Sequence, residues 1–313
     1  MSDSQPRVLA LGDYRPSRSV PNAELPPELE TDDAWIQDRT GIRTRRIAGT
    51  DETVVSMAAA ASGKALATAG VDPADVDLVI LASCSLPSQV PGGAAQVAHL
   101  VGSVSAGAFD INAACAGFCY GLSLAADAVR AGSARRVVVV GSEKLSDLVD
   151  WTDRRTAILF ADGAGAAVVG AGTSSGIGPA VWGSDGRLAP YIEIPAGGRL
   201  QMDGPAVFRW ATTALAPVAR RACSAAGVTP DDLAAVVPHQ ANLRIITALA
   251  RQIGAANAVV ADDIVDSGNT SSASVPLALS RLIADGRVRS GDPVLLLGFG
   301  AGLTWAGQVI NVP

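Results

Sequence analysis

Three residues in this chain are of types that could do chemistry together: Cys115, His239 and Asn269. Cys115 stands in Asp110-Ile-Asn-Ala-Ala-Cys115-Ala-Gly-Phe-Cys-Tyr-Gly121. The apolar run Ala108 to Ile111 reads as the end of a buried strand, and the pattern from Ala116 to about Arg130 predicts a helix. A cysteine at such a junction meets unpaired amide N–H groups and the positive end of a helix dipole, both of which stabilise a thiolate. Its small neighbours (Ala113, Ala114, Ala116, Gly117) leave room for a substrate. The same residues suit a buried structural cysteine, so the segment alone leaves both readings open. His239 follows the apolar run Leu233 to Val237 behind Pro238, and suits either a catalyst or a satisfied hydrogen-bonder. Asn269, between Gly268 and a Ser/Thr run, is either an amide donor or a turn and cap residue.

Other features narrow the class. The formal net charge of −6 argues against nucleic acid as the main partner. Cys84, Cys115, Cys119 and Cys223 form no C-x-x-C pair. Cys115 and Cys119 share a helix face, but neither of the two histidines is near, so no metal site is expected. The N-terminus lacks a signal-peptide pattern and no apolar run reaches membrane-spanning length, which fits a soluble, reduced, cytoplasmic protein. Trp35 with Arg39, Arg43, Arg45 and Arg46 reads as a nucleotide or phosphate clamp, or as a solvated loop with a packing tryptophan. Phe160 to Ala167 reads as a Gly/Ala-rich turn into a strand, without the lysine of a phosphate loop.

The elements that must position these residues alternate. Strands are predicted at 8–11, 75–82, 136–141, 233–237, 293–298 and 304–312. Helices are predicted at 53–69, 92–101, 116–130, 208–226, 242–253 and 272–285. Such alternation predicts an α/β protein with buried, mainly parallel sheets. The chain also rhymes with itself: Gly70-Val-Asp-Pro-Ala-Asp75 and Gly227-Val-Thr-Pro-Asp-Asp232 each follow an amphipathic helix and precede an apolar strand. Two duplicated units are expected, residues 1–172 carrying the cysteine and 173–313 carrying the histidine and asparagine.

Read together, Asn-Ala-Ala-Cys115-Ala-Gly-Phe, Pro-His239-Gln-Ala-Asn-Leu-Arg, Gly-Asn269-Thr-Ser-Ser-Ala-Ser and Gly-Phe-Gly-Ala301-Gly-Leu resemble the β-ketoacyl-acyl-carrier-protein synthase III family of the thiolase superfamily. Trp35-Ile-x-x-Arg39-Thr-Gly-Ile-x-x-Arg and Asp162-Gly-Ala-Gly-Ala-Ala resemble it too, and the motifs keep family order from about residue 8 onward. The resemblance implies a five-layered αβαβα thiolase fold with mixed, mainly parallel sheets, and a homodimer. It implies that an acyl-CoA starter condenses with malonyl-acyl-carrier protein, through an acyl-Cys115 intermediate, to give 3-oxoacyl-carrier protein, CO2 and CoA. No cofactor is implied, coenzyme A entering as the substrate's thioester.

By the same resemblance, Cys115, His239 and Asn269 form the triad, and the N–H groups of Cys115 and Ala301 form the oxyanion hole. Trp35 and Arg154 sandwich the CoA adenine, with Arg39 near the phosphates. Gly204, Phe208 and Asn242 border the pantetheine tunnel, Val90, Leu145 and Phe160 shape the acyl pocket, and Arg209 and Arg244 form a basic patch for the acidic carrier protein. Two departures bear on the substrate. Gln89-Val90-Pro91 offers a valine where several relatives carry a partner-subunit aromatic, which predicts a deeper pocket. The segment Gly183 to Gly204 is shorter than the usual loop beside the CoA entrance, which favours a carrier-bound or other thioester donor. The competing expectations are a starter-selecting synthase or non-condensing acyltransferase of secondary metabolism, and a non-catalytic thiolase-fold subunit, against which the retained cysteine argues.

Overall fold

A computed structural model describes residues 5–172 and 176–313. Met1 to Ser4, and the start of the second expected unit at 173–175, lie outside the described residues. In chain order the first part runs β1 (Gln5–Tyr14), β2 (Ser19–Pro21), α1 (Asp33–Thr40), β3 (Thr44–Arg46), α2 (Val54–Ala69), β4 (Leu78–Ala82) and α3 (Gly93–Val101). It continues with β5 (Gly107–Ile111), α4 (Gly117–Ala131), β6 (Arg136–Lys144), α5 (Arg154–Ala157) and β7 (Asp162–Gly172). The second part has β8 (Val181–Ser184), β9 (Ile192–Glu193), β10 (Gln201–Met202), α6 (Gly204–Ala225), β11 (Ala235–Pro238) and α7 (Leu243–Ile253). It ends with β12 (Val259–Val260), α8 (Ile264–Ser267), α9 (Ser274–Ala284), β13 (Pro293–Gly300) and β14 (Thr304–Asn311).

Two five-stranded sheets dominate the described residues, in the orders β1-β7-β6-β4-β5 and β8-β14-β13-β11-β12. In the first, β5, β4 and β6 run parallel while β7 and β1 are antiparallel to their neighbours. In the second, β12, β11 and β13 run parallel while β14 and β8 are antiparallel. The two mixed topologies are therefore the same. Alternation along the strands sorts side chains between layers. Val138 and Val140 of β6 face α2 and α3, while Val137 and Val139 face a central layer containing α4 and α9. Val236 and Leu295 of the second sheet pack under α6 and α7, while Val237 and Leu296 meet the central layer. The result is helix, sheet, helix, sheet, helix: the five-layered α/β thiolase arrangement. Each fully buried valine or leucine contributes roughly 1.5–3 kcal/mol.

Local chemistry explains most boundaries. Thr53 caps α2 in a reciprocal box with Ser56, and Gly70 closes it in a left-handed conformation. Three expectations need correction. The run Ala108 to Ile111 is not a buried strand: β5 is a sheet edge, and Phe109 is 41% exposed. Residues 162–167 are not a turn but the start of β7; a Cβ on Gly165 would come within 2.8 Å of Pro276, so small residues there admit α9 rather than bend the chain. Helix α6 begins at Gly204, four residues before the apolar pattern at Phe208, because Asp203 accepts from the Ala206 N–H.

The two halves interlock at their central helices. Ala114 (φ 46°) and Ser271 (φ 48°) are left-handed non-glycine residues in the turns that lead into α4 and α9. These equivalent points recur at a constant offset of 157, from 114 to 271 and from 117 to 274. The same offset pairs Cys115 with Ser272 and Glu143 with Gly300. A Cβ on Gly141 of β6 would lie 2.5 Å from the Ser272 carbonyl oxygen, and one on Gly300 of β13 would lie 2.7 Å from Cys115 Cβ. Each half's central strand thus gives up a side chain where the other half's turn crosses it.

Candidate active site

Cys115, His239 and Asn269 all line one cavity of about 1160 Å³, together with Ala301 and Gly300. That volume exceeds the usual range for a small-ligand pocket, roughly 300–1,000 Å³, and suits a long, flexible substrate arm.

Cys115 occupies a 3-10 turn, Ala114–Ala116, immediately before α4. Gly300 presses against its Cβ and sulfur, so a larger residue there would displace the thiol. Burial pushes the thiol up to about 12; the Ser271 hydroxyl opposes this, Glu143 adds to it, and the N–H groups of Cys115 and Ala301 at the sulfur oppose it. Desolvation therefore outweighs the hydrogen bonds and the helix end that favour a thiolate at this junction. Cys119, one turn on, is buried under Gly298 and is pushed up to about 12 by burial. Among the described residues no group of three or more His, Cys, Asp or Glu could hold a metal ion.

His239 leaves the end of β11 and is 2% exposed, with Phe299 edge-on at 5.2 Å between ring centroids. Burial drives its imidazole down to about 3, so it is neutral at physiological pH. Its Nδ1 lies 2.7 Å from Ser274 Oγ, and that oxygen already accepts the Gln240 N–H at 3.3 Å. The serine's own hydrogen is then available to Nδ1, which leaves Nε2 as the protonated, donating nitrogen. Asn269 is held by its backbone against Leu159 and Ala161. Its Oδ1 accepts the Ser271 N–H at 2.9 Å, so its Nδ2 is the group left to donate. One wall of the cavity thus supplies N–H donors from an imidazole, an amide and the backbone.

The other expected residues are distributed around this centre. Gly204, Phe208, Asn242, Leu145 and Phe160 line the cavity. Asn242 also caps α7 through the Arg244 N–H and donates to the Arg39 carbonyl. Arg39 lines the cavity and lies over the Trp35 ring at 4.4 Å, with Arg154 at 5.7 Å. Arg244, exposed at the cavity rim, lies over the Phe208 ring at 5.7 Å; Arg209 is exposed one residue on from Phe208. Val90 is 85% exposed on the outer surface. The segment Gly183 to Gly204, expected to be shorter than the usual covering loop, lines the cavity through Pro190, Ile194 and Leu200 of the β9–β10 hairpin and its flank. Asp162 of the Asp-Gly-Ala motif accepts from Ala48 N–H and from Ser146, which fixes the turn beginning at Leu145.

Sequence reasoning missed Ser274 and Glu143. Ser274 lies five positions after Asn269 in a run of similar small polar residues, and only its contact with His239 distinguishes it. Glu143 is fully buried, and an acid just beyond the run Val137 to Gly141, with only Ser142 between, was the available signal.

Residues 109–186 match the family model for 3-oxoacyl-[acyl-carrier-protein] synthase III, and residues 223–312 match the model for its C-terminal part. The chain is 52% identical over 311 residues to β-ketoacyl-[acyl-carrier-protein] synthase III 4 of Streptomyces coelicolor, covering 98% of each chain. It superposes on the priming β-ketosynthase of the R1128 polyketide pathway with a TM-score of 0.97 and 48% identity, over 100% of this chain and 98% of that one. It also superposes on the 3-oxoacyl-[acyl-carrier-protein] synthase III of Aquifex aeolicus with a TM-score of 0.95 and 38% identity, over 98% and 100%.

Proposed function

The chain belongs to the 3-oxoacyl-[acyl-carrier-protein] synthase III family, and from that premise we propose that it performs the starter condensation of fatty-acid or polyketide synthesis. An acyl-CoA starter and malonyl-acyl-carrier protein are the substrates, and 3-oxoacyl-carrier protein, CO2 and CoA the products. The observation that carries this reading is the convergence of Cys115, His239, Asn269 and Ala301 on one cavity.

In the first half-reaction Cys115 Sγ attacks the thioester carbonyl. Because the thiol is held at about 12, its proton leaves as the C–S bond forms, and CoA departs as the thiol. The tetrahedral oxyanion is held by the N–H groups of Cys115 and Ala301. Alanine at 301 keeps the N–H that the hole requires. In the second, malonyl decarboxylation places charge on the thioester oxygen. The neutral His239 Nε2–H and the Asn269 Nδ2–H donate to it, and no strong base is needed. The enolate carbon then attacks the acyl-Cys115 carbonyl and releases the sulfur.

Around this centre, Trp35, Arg39 and Arg154 hold the CoA head, Phe208, Gly204 and Asn242 the pantetheine arm, and Leu145 and Phe160 the acyl chain. Arg244 and Arg209 at the rim receive the acidic carrier protein. The unpaired edge of β5, with Phe109 and Val90 exposed beside it, supports a homodimer in which Val90 reaches the partner's pocket. The shared strand order supports two thiolase-like halves, 1–172 and 173–313. Among the described residues no helix is long and apolar enough to cross a membrane, and we assign the protein to the cytoplasm. Similarity to a priming ketosynthase keeps the polyketide setting beside the fatty-acid one.

The test is intact-mass analysis after incubation with mixed acyl-CoAs, then with malonyl-carrier protein. The expected result is one acyl adduct on Cys115, discharged with CO2 release. Acyl transfer without CO2 release would establish a non-condensing acyltransferase instead.

A further inference from the structure

Glu143 is a fully buried carboxylate at the end of β6 that the mechanism above does not use. Its Oε2 accepts from Ser83 Oγ at 3.1 Å, from the Cys84 N–H at 3.1 Å and from Ser85 Oγ at 2.5 Å. Its Oε1 lies 3.4 Å from Cys84 Sγ, 3.4 Å from the Ser272 nitrogen and 2.8 Å from Ser272 Oγ, a hydroxyl also 2.8 Å from the Ala82 carbonyl. The carboxylate therefore ties the chain after β4 to the turn before α9. That turn is continuous with the site: Ser272 follows Ser271, whose N–H holds Asn269 Oδ1 and whose Oγ lies 3.6 Å from Cys84 Sγ and bonds the Cys115 sulfur.

We propose that Glu143 is a positioning residue for the condensation, fixing the 269–272 turn so that the Asn269 amide points at the enolate oxygen. The inference rests on the function proposed above. It is carried by bonds that span two halves of the fold, which a residue needed only to fill space would not require. Of the charged residues flanking Glu143, Lys144 turns away to the Gly49 carbonyl and Asp162 is engaged by Ser146 and Ala48.

The experiment compares wild type, Glu143→Gln and Ser272→Ala. For each, acyl loading is measured by mass, the kcat and KM for malonyl-carrier decarboxylation by CO2 release, and the melting temperature by thermal denaturation. Glutamine keeps the volume but cannot accept all the donors and carries no charge. In Glu143→Gln, decarboxylation kcat falls at least tenfold while the KM for malonyl-carrier protein and acyl loading at saturating donor stay within about threefold. In Ser272→Ala, decarboxylation kcat falls in the same selective way. A wild-type kcat in Glu143→Gln overturns the inference, as does an equal loss in every step that tracks lost thermal stability. Wild type that neither loads nor decarboxylates overturns the proposed function instead.

Discussion

The turns at 114–116 and 271–273 have the same shape and opposite fates. Each carries a left-handed residue, each feeds a central helix, and each crosses the middle strand of the other half. Beyond Ser272 the equivalent strand position holds Glu143, whose carboxylate fills the space and collects hydroxyl and amide hydrogens. Beyond Cys115 that position is Gly300, and the space is open to the cavity. The difference teaches that chemistry appears where a side chain has been taken away, and that the twin position, where one was kept, braces the turn beside it.

The sharpest way to break this comparison is Cys115→Ala. It should abolish acyl loading by intact mass while malonyl decarboxylation stays detectable as CO2. Loss of both with the fold intact would show that the open turn does more than supply a nucleophile. Next comes Asn269→Ala, expected to lower decarboxylation about 10²–10³-fold, the cost of one oxyanion donor, with acyl loading largely retained. Gly300→Ala closes the open turn directly. Its Cβ, 2.7 Å from Cys115 Cβ, should slow acyl loading roughly tenfold or more and, by overpacking, cost about 1–3 kcal/mol of stability, read as a lower melting temperature. Arg244→Glu tests the rim: carrier-protein KM should rise about tenfold with acyl-CoA loading near wild type, and equal loss in both half-reactions would remove the patch from the account.

The smallest expected effect is a flat line. His239 is held down to about 3 against an ordinary 6.5, so decarboxylation should show no acid limb between pH 5 and 8. A loss of rate centred near 6.5 would mean the imidazole titrates in contact with water. The same depression makes stability fall as pH drops from 6.5 toward 3, because only the unfolded chain takes up that proton. Chemical denaturation at several pH values measures it.

Much of this was legible in the chain. Thr53 and Gly70 bracket α2 because caps and left-handed glycines have local chemistry, and Val137 to Val140 mark β6 because a strand buried on both faces needs unbroken apolar residues. The edge position of β5 was not legible, since an apolar run says nothing about whether a neighbour pairs beyond it. The start of β7 was hidden because glycine and alanine serve a turn and a close helix contact equally well. At the site, Cys115, His239 and Asn269 could be found by motif. The protonation states of Cys115 and His239 could not, because the burial that pushes the thiol up and the imidazole down comes from residues distant in sequence, such as Gly300 against the thiol and Phe299 against the imidazole.

The crossing of Gly141 under Ser272 and of Gly300 under Cys115 also limits how such a molecule can change through descent. Neither half can drift alone at these points, for a methyl group gained on one side must be matched by retreat on the other. Grafting a half from a relative would succeed only if donor and recipient agree at both crossings. Loops at the mouth are free of that mutual obligation, and it is there that new starter preferences have room to arise.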